Sequence, residues 1–380
     1  MKNPFPAQAP GYDAEAITAV IERAFASAGL DTSSAPMQGL RATLRHALHP
    51  GSAGRVATPA APERDAVIDV PARVTDSDRA ADSFERHEFH SPAGARAYKL
   101  FVPAHRPPAP CPLIVMLHGC TQSADDFAAG TRMNRLAQAH GFLVVYPEQS
   151  AQANASRCWN WFQPQDQRRD AGEPALIAGI VQEVATRHAV DPDRIFVAGL
   201  SAGAAMAVVM GETYPDLIAG IGVHSGLPYG SAQDIPSALA AMKGGRHAAG
   251  SHGARAAPAA GQPHPHAVQR VPLIVFHGDR DHTVQHSNGA RIVEQACQAH
   301  EPSTRSTHRG EAPGGRPYSR TVHASEQGQV CVESWTLHGA GHAWSGGDAR
   351  GSYTDASGPD ASAEMVRFFL ALPAARPPAL

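Results

Sequence analysis

The sequence has few cysteines, and they are not arranged as a scaffold. The 380 residues include five cysteines at well-separated positions: Cys111, Cys120, Cys158, Cys297 and Cys331. No C-x-x-C pair occurs among them, which argues against a structural zinc site, and so few cysteines do not build a disulfide-rich fold. The fold must therefore depend on a hydrophobic core, for which a hydrophobic content of 43% is sufficient.

An excess of charge and long apolar runs are also lacking. The net charge is -3 and charged residues make up 18% of the chain, so nothing predicts binding to nucleic acid or to an anionic membrane surface. No apolar run approaches the roughly 20 residues that a transmembrane helix needs. The N-terminal stretch MKNPFPAQAPGYDAEA has no uninterrupted apolar core of a secretory signal, so the compartment stays open.

The composition changes along the chain. A helical pattern of apolar residues near the N-terminus is followed by a stretch rich in Ala, Pro, Arg and Asp over 50–82, as in a linker. We predict an N-terminal helical segment with a linker over 1–83 and a folded domain over 84–380. A Gly-, Ala- and His-rich tract predicts a flexible insertion at about 230–270, and its histidines lack the regular spacing of a metal site.

Beyond residue 84, strands alternate with helices. Continuous apolar runs such as PLIVMLHG (112–119) and GFLVVYPE (141–148) are typical of strands covered on both faces. Residues 125–140 and 173–188 are predicted helices, and RHEFHSPAGARAYKLFVP and YSRTVHASEQGQVCVESWTLHG are predicted hairpins. The alternation predicts an α/β fold with a mostly parallel central sheet and helices on both faces.

One serine lies at a predicted strand-to-helix turn. Ser201 is the centre of GLSAG, which matches G-x-S-x-G, between the strand RIFVA and a helix beginning at Ala202. A serine in this context is a candidate nucleophile, whereas a serine that only caps a helix is the alternative. A serine nucleophile needs a histidine base and an acid that orients the base.

Two later strand ends offer the acid and the base. FHGDRDHTV contains Asp279 and Asp281, and HGAGHAWSGG contains His338 and His342. We favour Asp281, because an aspartate directly after the strand could serve only to bind loop amides. We favour His342, because the flexible GAG before it lets the side chain reach the site. The expected oxyanion hole consists of the backbone amides of Cys120 and Ala202.

These motifs together resemble a known family. HGCTQSADDFAAGTRMNRLA, GFLVVYPEQS, CWNWF, GLSAGAAMA, FHGDRDHTV and HGAGHAWSGG are similar, in this order, to motifs of the polyhydroxybutyrate depolymerase family of esterases, which has feruloyl and acetylxylan esterase relatives. The resemblance covers about 85–372. It implies an α/β-hydrolase fold over 84–380, no cofactor or metal, and a triad of Ser201, Asp281 and His342.

The resemblance also implies features around the site. Trp159, Trp161 and Trp344 would line an apolar groove for the substrate, with core packing as the alternative for each. Disulfides between Cys120 and Cys158 and between Cys297 and Cys331 are hypotheses, since connectivity cannot be read from sequence.

The expected function is therefore a serine esterase acting on short-chain polyhydroxyalkanoates, either polymer or oligomer. A feruloyl or acetylxylan carbohydrate esterase is the alternative, and a non-catalytic binding protein on a hydrolase scaffold is a further one. The family suggests an extracellular protein, whereas the lack of an evident signal leaves a cytoplasmic one open. The sequence does not indicate the oligomeric state.

Overall fold

A computed structural model describes residues 81–106, 110–245 and 271–373. The predicted N-terminal helix and nearly all of the predicted linker lie outside the described residues, as does most of the predicted insertion. The first part of that insertion is described, and it contains a helix at Ile235–Met242.

The described residues form a ten-stranded mixed sheet. Its strands in chain order are β1 (Ser83–Ser91), β2 (Gly94–Val102), β3 (Cys111–Leu117), β4 (Leu143–Pro147), β5 (Val190–Leu200), β6 (Gly220–His224), β7 (Leu273–Gly278), β8 (Thr304–Glu311), β9 (Pro317–Ala324) and β10 (Val330–Leu337). They lie side by side in the order β1-β2-β4-β3-β5-β6-β7-β10-β9-β8. The strands from β4 to β10 in this order are parallel, and antiparallel strands extend the sheet at both ends.

Helices cover both faces of the sheet. They are α1 (Ala124–Thr131), α2 (Met133–His140), α3 (Gly172–Arg187), α4 (Ala202–Thr213), α5 (Ile235–Met242), α6 (Ser287–His300) and α7 (Ala361–Ala371). A small two-stranded sheet, β11 (Trp344–Ser345) with β12 (Thr354–Asp355), follows β10. This arrangement confirms the predicted α/β class.

Alternate residues of the central strands point to opposite faces of the sheet and belong to two separate hydrophobic cores. Leu113 and Val115 of β3 belong to the core that contains α3, α4 and α6, whereas Ile114 and Met116 belong to the core that contains α1, α2 and α7. All four side chains are fully buried. The continuous apolar run of β3 is therefore explained by burial on both faces.

The predicted hairpins are present as β1–β2 and β9–β10. Strand β8 was not predicted. Its residues are exposed almost throughout, and an edge strand without a buried face has no alternation of apolar and polar residues.

The predicted helix at 125–140 is two helices. Arg132 separates α1 from α2 in the left-handed conformation, with φ 56°. Its guanidinium donates to Gly346 O at 2.6 Å and to the Asp360 carboxylate at 3.0 Å. Because those partners follow more than 200 residues later, no local signal marks the break.

Replacing Phe369 with alanine is expected to destabilise the domain by ~3–5 kcal/mol. Phe369 of α7 is fully buried and its ring stacks on Phe196 of β5 with centroids 4.7 Å apart. The free energy of unfolding, measured by urea titration, checks the value. Phe369→Leu is the graded control and should lose less, so equal losses in the two variants would contradict a packing role for the ring.

Candidate active site

Ser201 lies in a strained turn at the carboxyl end of β5. Its backbone has φ 57° and ψ -119°, a region that residues other than glycine rarely adopt, and α4 begins at the next residue. The turn places the hydroxyl at the N-terminus of a helix of 12 residues, where the backbone amides favour developing negative charge.

The glycines on both sides are required by close backbone contacts. A Cβ on Gly203 would lie 2.1 Å from Leu117 O, and one on Gly199 would lie 2.5 Å from the backbone of Gly203. No side chain fits at either position without moving the end of β3 or the turn itself. The G-x-S-x-G pattern is thus explained by sterics at this turn.

The structure joins Asp281 and His342. Asp281 follows β7 and His342 follows β10, which is the neighbour of β7 in the sheet. His342 Nδ1 lies 2.7 Å from Asp281 Oδ2, and the other carboxylate oxygen accepts from the amides of Thr283 and Val284 at 3.0 and 2.8 Å. Because a carboxylate only accepts, Nδ1 carries the proton and Nε2 has a free lone pair.

Asp281 is held in its charged form. Burial alone would raise the pKa of its carboxyl group, but the hydrogen bond and charge of His342, together with the Val284 amide, outweigh burial and lower that pKa below its ordinary value. The side chain of Asp281 is fully buried, so the carboxylate is an acceptor shielded from water.

His224, at the carboxyl end of β6, connects the serine turn to the histidine loop. Its backbone oxygen accepts from Ser201 N at 2.9 Å, and its ring Nε2 accepts from Ser345 N at 3.0 Å. Ser345 lies three residues beyond His342. Among the described residues, the Ser201 hydroxyl has no hydrogen-bond partner, so Asp281 and His342 are joined while the serine stays unengaged.

The alternatives that the sequence left open form a pair of their own. His338 Nδ1 lies 3.0 Å from Asp279 Oδ2, and Asp279 Oδ1 accepts from Gly339 N at 2.7 Å. The side chain of His338 is 41% exposed, compared with 13% for His342. The structure therefore pairs the preferred aspartate with the preferred histidine and the two alternatives with each other.

The amides expected to form the oxyanion hole are both available as donors. Ala202 is the first residue of α4, where a backbone amide has no acceptor within the helix. In the loop after β3, Gly119 N donates to Gln122 Oε1 and Thr121 N donates to Ser156 O. The amide of Cys120, between them, donates to none of the described residues.

A disulfide joins Cys120 to Cys158, as hypothesised. It ties the loop after β3 to the CWNWF segment, across 38 residues of sequence. The second hypothesised bridge is not formed: Cys297 and Cys331 are both free thiols in the structure. Burial raises the pKa of both thiols above the ordinary value for cysteine, which favours the protonated form.

The tryptophans are buried instead of lining an open groove. Trp159 and Trp344 are 0% and 1% exposed, and Trp161 is 6% exposed. Trp159 Nε1 donates to His118 O at 3.1 Å, and Trp344 Nε1 donates to Ser362 Oγ at 3.0 Å. The structure thus corresponds to the alternative of core packing, and the two most deeply buried indole nitrogens, those of Trp159 and Trp344, each have an acceptor.

A buried polar network behind the CWNWF segment was not predicted. Gln149 contacts both Arg96 and Glu173 through its side-chain amide, and Glu173 accepts from Asn160 N at 2.8 Å. Burial raises the pKa of Glu173 to about 7, with the nearby charge of Asp166 adding to the effect. Gln149 and Asn160 lie in the quoted segments GFLVVYPEQS and CWNWF, but nothing local in the sequence indicates that they meet Arg96 and Glu173.

The described residues contain no cluster of three or more His, Cys, Asp or Glu side chains placed to hold a metal ion. Nor does this part of the chain include a helix with the length and apolarity needed to cross a membrane.

The serine turn at a strand end, the mostly parallel sheet and the loops after β7 and β10 define the α/β-hydrolase fold. An acetyl xylan esterase from Aspergillus awamori shares this fold with a TM-score of 0.54 and 19% identity, over 68% of this chain and 94% of the other. The chain belongs to the family described as Esterase PHB depolymerase, whose profile matches residues 96–301.

Two curated relatives are similar in sequence. Poly(3-hydroxyalkanoate) depolymerase C of Paucimonas lemoignei is 37% identical over 241 residues, which are 62% of this chain and 55% of the relative. Probable acetylxylan esterase A of Aspergillus flavus is 30% identical over 215 residues, which are 55% of this chain and 66% of the relative. The chain thus spans about half the length of the depolymerase.

Acidification from pH 7 towards pH 4 is expected to destabilise the domain through buried histidines. Burial lowers the pKa of His224 to about 3 and that of His277 to about 4. Below pH ~6.5 the unfolded chain binds protons at these side chains while the native state does not, so each histidine costs up to ~1.4 kcal/mol per pH unit. The stability that the neutral state of these two histidines contributes is therefore complete above pH ~6.5 and declines as the pH falls towards 4.

Urea unfolding at pH 7.5, 6.0 and 5.0 measures this slope. His277→Gln removes one of the titrating groups and should make the pH dependence shallower. The comparison with the parent isolates His277, because the raised pKa of Glu173 contributes a slope of the opposite sign in both proteins. A slope that is equal in His277→Gln and in the parent would show that native His277 binds protons as readily as it does in the unfolded chain.

Proposed function

We propose that the protein is a carboxylic ester hydrolase in which Ser201 is the nucleophile, His342 the general base and Asp281 the acid that orients the base. The observation that carries the proposal is the 2.7 Å hydrogen bond between His342 Nδ1 and Asp281, at the same sheet edge as the strained Ser201 turn. Family membership supports it independently.

The proton on Nδ1 determines how the base would act. Since Asp281 holds that proton, the Nε2 lone pair is free to take the hydroxyl proton as Ser201 Oγ attacks the ester carbonyl carbon. Hydrogen bonds of this kind often form only when substrate is bound, which accounts for the unengaged serine in the free protein. Asp281 then stabilises the imidazolium that forms.

The amides of Cys120 and Ala202 would stabilise the oxyanion of the tetrahedral intermediate. When the intermediate collapses, the alcohol leaves with the proton from His342 and Ser201 keeps the acyl group. Water attacks this acyl-enzyme after losing a proton to the same Nε2, and the acid is released. The sequence of steps returns the serine and needs no redox change.

We propose short-chain polyhydroxyalkanoates, as polymer or oligomer, as the substrate class. The supporting observations are the family profile and the 37% identity to a poly(3-hydroxyalkanoate) depolymerase. Acetyl or feruloyl esters of carbohydrate are the second candidate, since a probable acetylxylan esterase is 30% identical.

Ser201→Ala is expected to lower kcat for p-nitrophenyl butyrate by ~10³-fold or more, because the nucleophile is lost. The folded structure should be kept, since alanine removes only the hydroxyl. Ser306→Ala on the exposed strand β8 is the matched control and should keep full activity. A Ser201→Ala variant as active as the parent would disprove the assignment, and a parent protein without any esterase activity would favour the non-catalytic alternative.

A substrate panel is expected to separate the two ester classes. Values of kcat/KM for hydroxybutyrate oligomers should exceed those for acetylated xylan oligosaccharides and methyl ferulate. The measurement uses the same purified protein for all substrates, with Ser201→Ala as the blank. The reverse order would assign the protein to the carbohydrate esterases.

A further inference from the structure

Two aspartate–histidine pairs connect the loops after β7 and β10. The inner pair is Asp281 with His342, and the outer pair is Asp279 with His338. The two aspartates are two residues apart on one loop, and the two histidines are four residues apart on the other. We infer that the outer pair positions the loop that carries His342, an inference that rests on the proposed function of His342 as the base.

The outer pair acts where the two loops meet. Asp279 accepts from the Gly339 amide at 2.7 Å and from His338 Nδ1 at 3.0 Å, so one carboxylate holds two consecutive residues of the opposite loop. The backbones are bonded as well, with Arg280 N donating to Ala340 O at 3.0 Å. A Cβ on Gly278 would lie 2.3 Å from Ala340 O, which shows how closely the loops approach.

The contact between the two loops matters because the stretch just before His342 contains two glycines. Gly339 and Gly341 carry little intrinsic preference for one conformation, and Gly339 has φ 73°. Asp279 fixes Gly339, and Arg280 fixes Ala340. The inner pair fixes the end of the stretch, so the loop is held on both sides of its most flexible part.

His338 is itself held from the far side. With the proton of Nδ1 directed to Asp279, Nε2 accepts from Ser319 Oγ at 2.8 Å. Arg316 donates to His338 O at 3.1 Å and pairs with the Asp355 carboxylate at 2.8 Å. The outer pair is therefore anchored to β9 and β12 and not only to the loop it positions.

Ser319, His338 and Asp279 repeat the residue types of the proposed triad, but Ser319 does not have the surroundings of a nucleophile. Ser319 lies inside β9, opposite Thr336 of β10 and Arg309 of β8. Unlike Ser201, it neither precedes a helix nor has a positive φ. The outer pair, together with Ser319, is therefore assigned a positioning role and is not a second active site.

The first test is the kinetics of Asp279→Ala with p-nitrophenyl butyrate. We expect kcat to fall ~10- to 100-fold with KM within about two-fold, because a displaced base slows the chemistry without removing a substrate contact. Asp279→Asn keeps an oxygen for the Gly339 amide and should recover much of the loss. Asp348→Ala is the matched control, since Asp348 also accepts from a loop amide and pairs with a cation, Arg350.

A direct readout separates this inference from the proposed function. The ¹H NMR resonance of the His342 Nδ1 proton, assigned by its loss in His342→Gln, reports the inner hydrogen bond whether or not any ester is hydrolysed. We expect it to shift or broaden in Asp279→Ala and to be unchanged in Asp348→Ala.

Three outcomes would overturn the inference. They are an unchanged resonance in Asp279→Ala, a loss of kcat no larger than in Asp348→Ala, and labelling of Ser319 by a fluorophosphonate probe in Ser201→Ala. If the parent protein hydrolyses no ester while the resonance still responds to Asp279→Ala, the proposed function fails and the positioning role stands.

Discussion

The candidate site depends on a close backbone approach between the end of β3 and the turn after β5. With no side chain at Gly199 or Gly203, the turn at Ser201 packs directly on Leu117 O. The same approach brings the first amide of α4 near the loop that carries Cys120, since β3 and β5 are neighbours in the sheet. One steric condition thus positions both the hydroxyl and the two amides that the proposed chemistry needs.

The sheet topology provides the remaining groups. β7 and β10 are adjacent and parallel although a helix and two antiparallel strands separate them in the chain. Their carboxyl ends are therefore next to each other, and the residues that follow them can pair across the gap. Because Asp281 is buried, each oxygen of its carboxylate requires a hydrogen-bond donor from the protein. Asp281 has such donors in His342 and in the amides of its own loop.

Much of this arrangement was predictable because its signals are local. The parallel sheet, the hairpins and the serine turn follow from apolar runs, turn residues and two glycines. The features that sequence reasoning missed or misplaced depend on distant partners. The break at Arg132 is stabilised by Gly346 and Asp360, and the tryptophans proposed for a groove are instead enclosed by the core. The contacts around Glu173 were not predictable, since Arg96, Gln149, Asn160 and Glu173 come from separate segments of the chain.

The outermost strand, β8, has consequences for how copies of the protein meet. Its edge is unpaired within the described residues, and an exposed strand of this kind can pair with the same strand of another molecule. Arg305, His308 and Arg309 place cationic or titratable side chains along it. Two such edges brought together would confront the cationic side chains of Arg305 and Arg309 on both molecules. The composition of β8 therefore works against sheet extension between molecules.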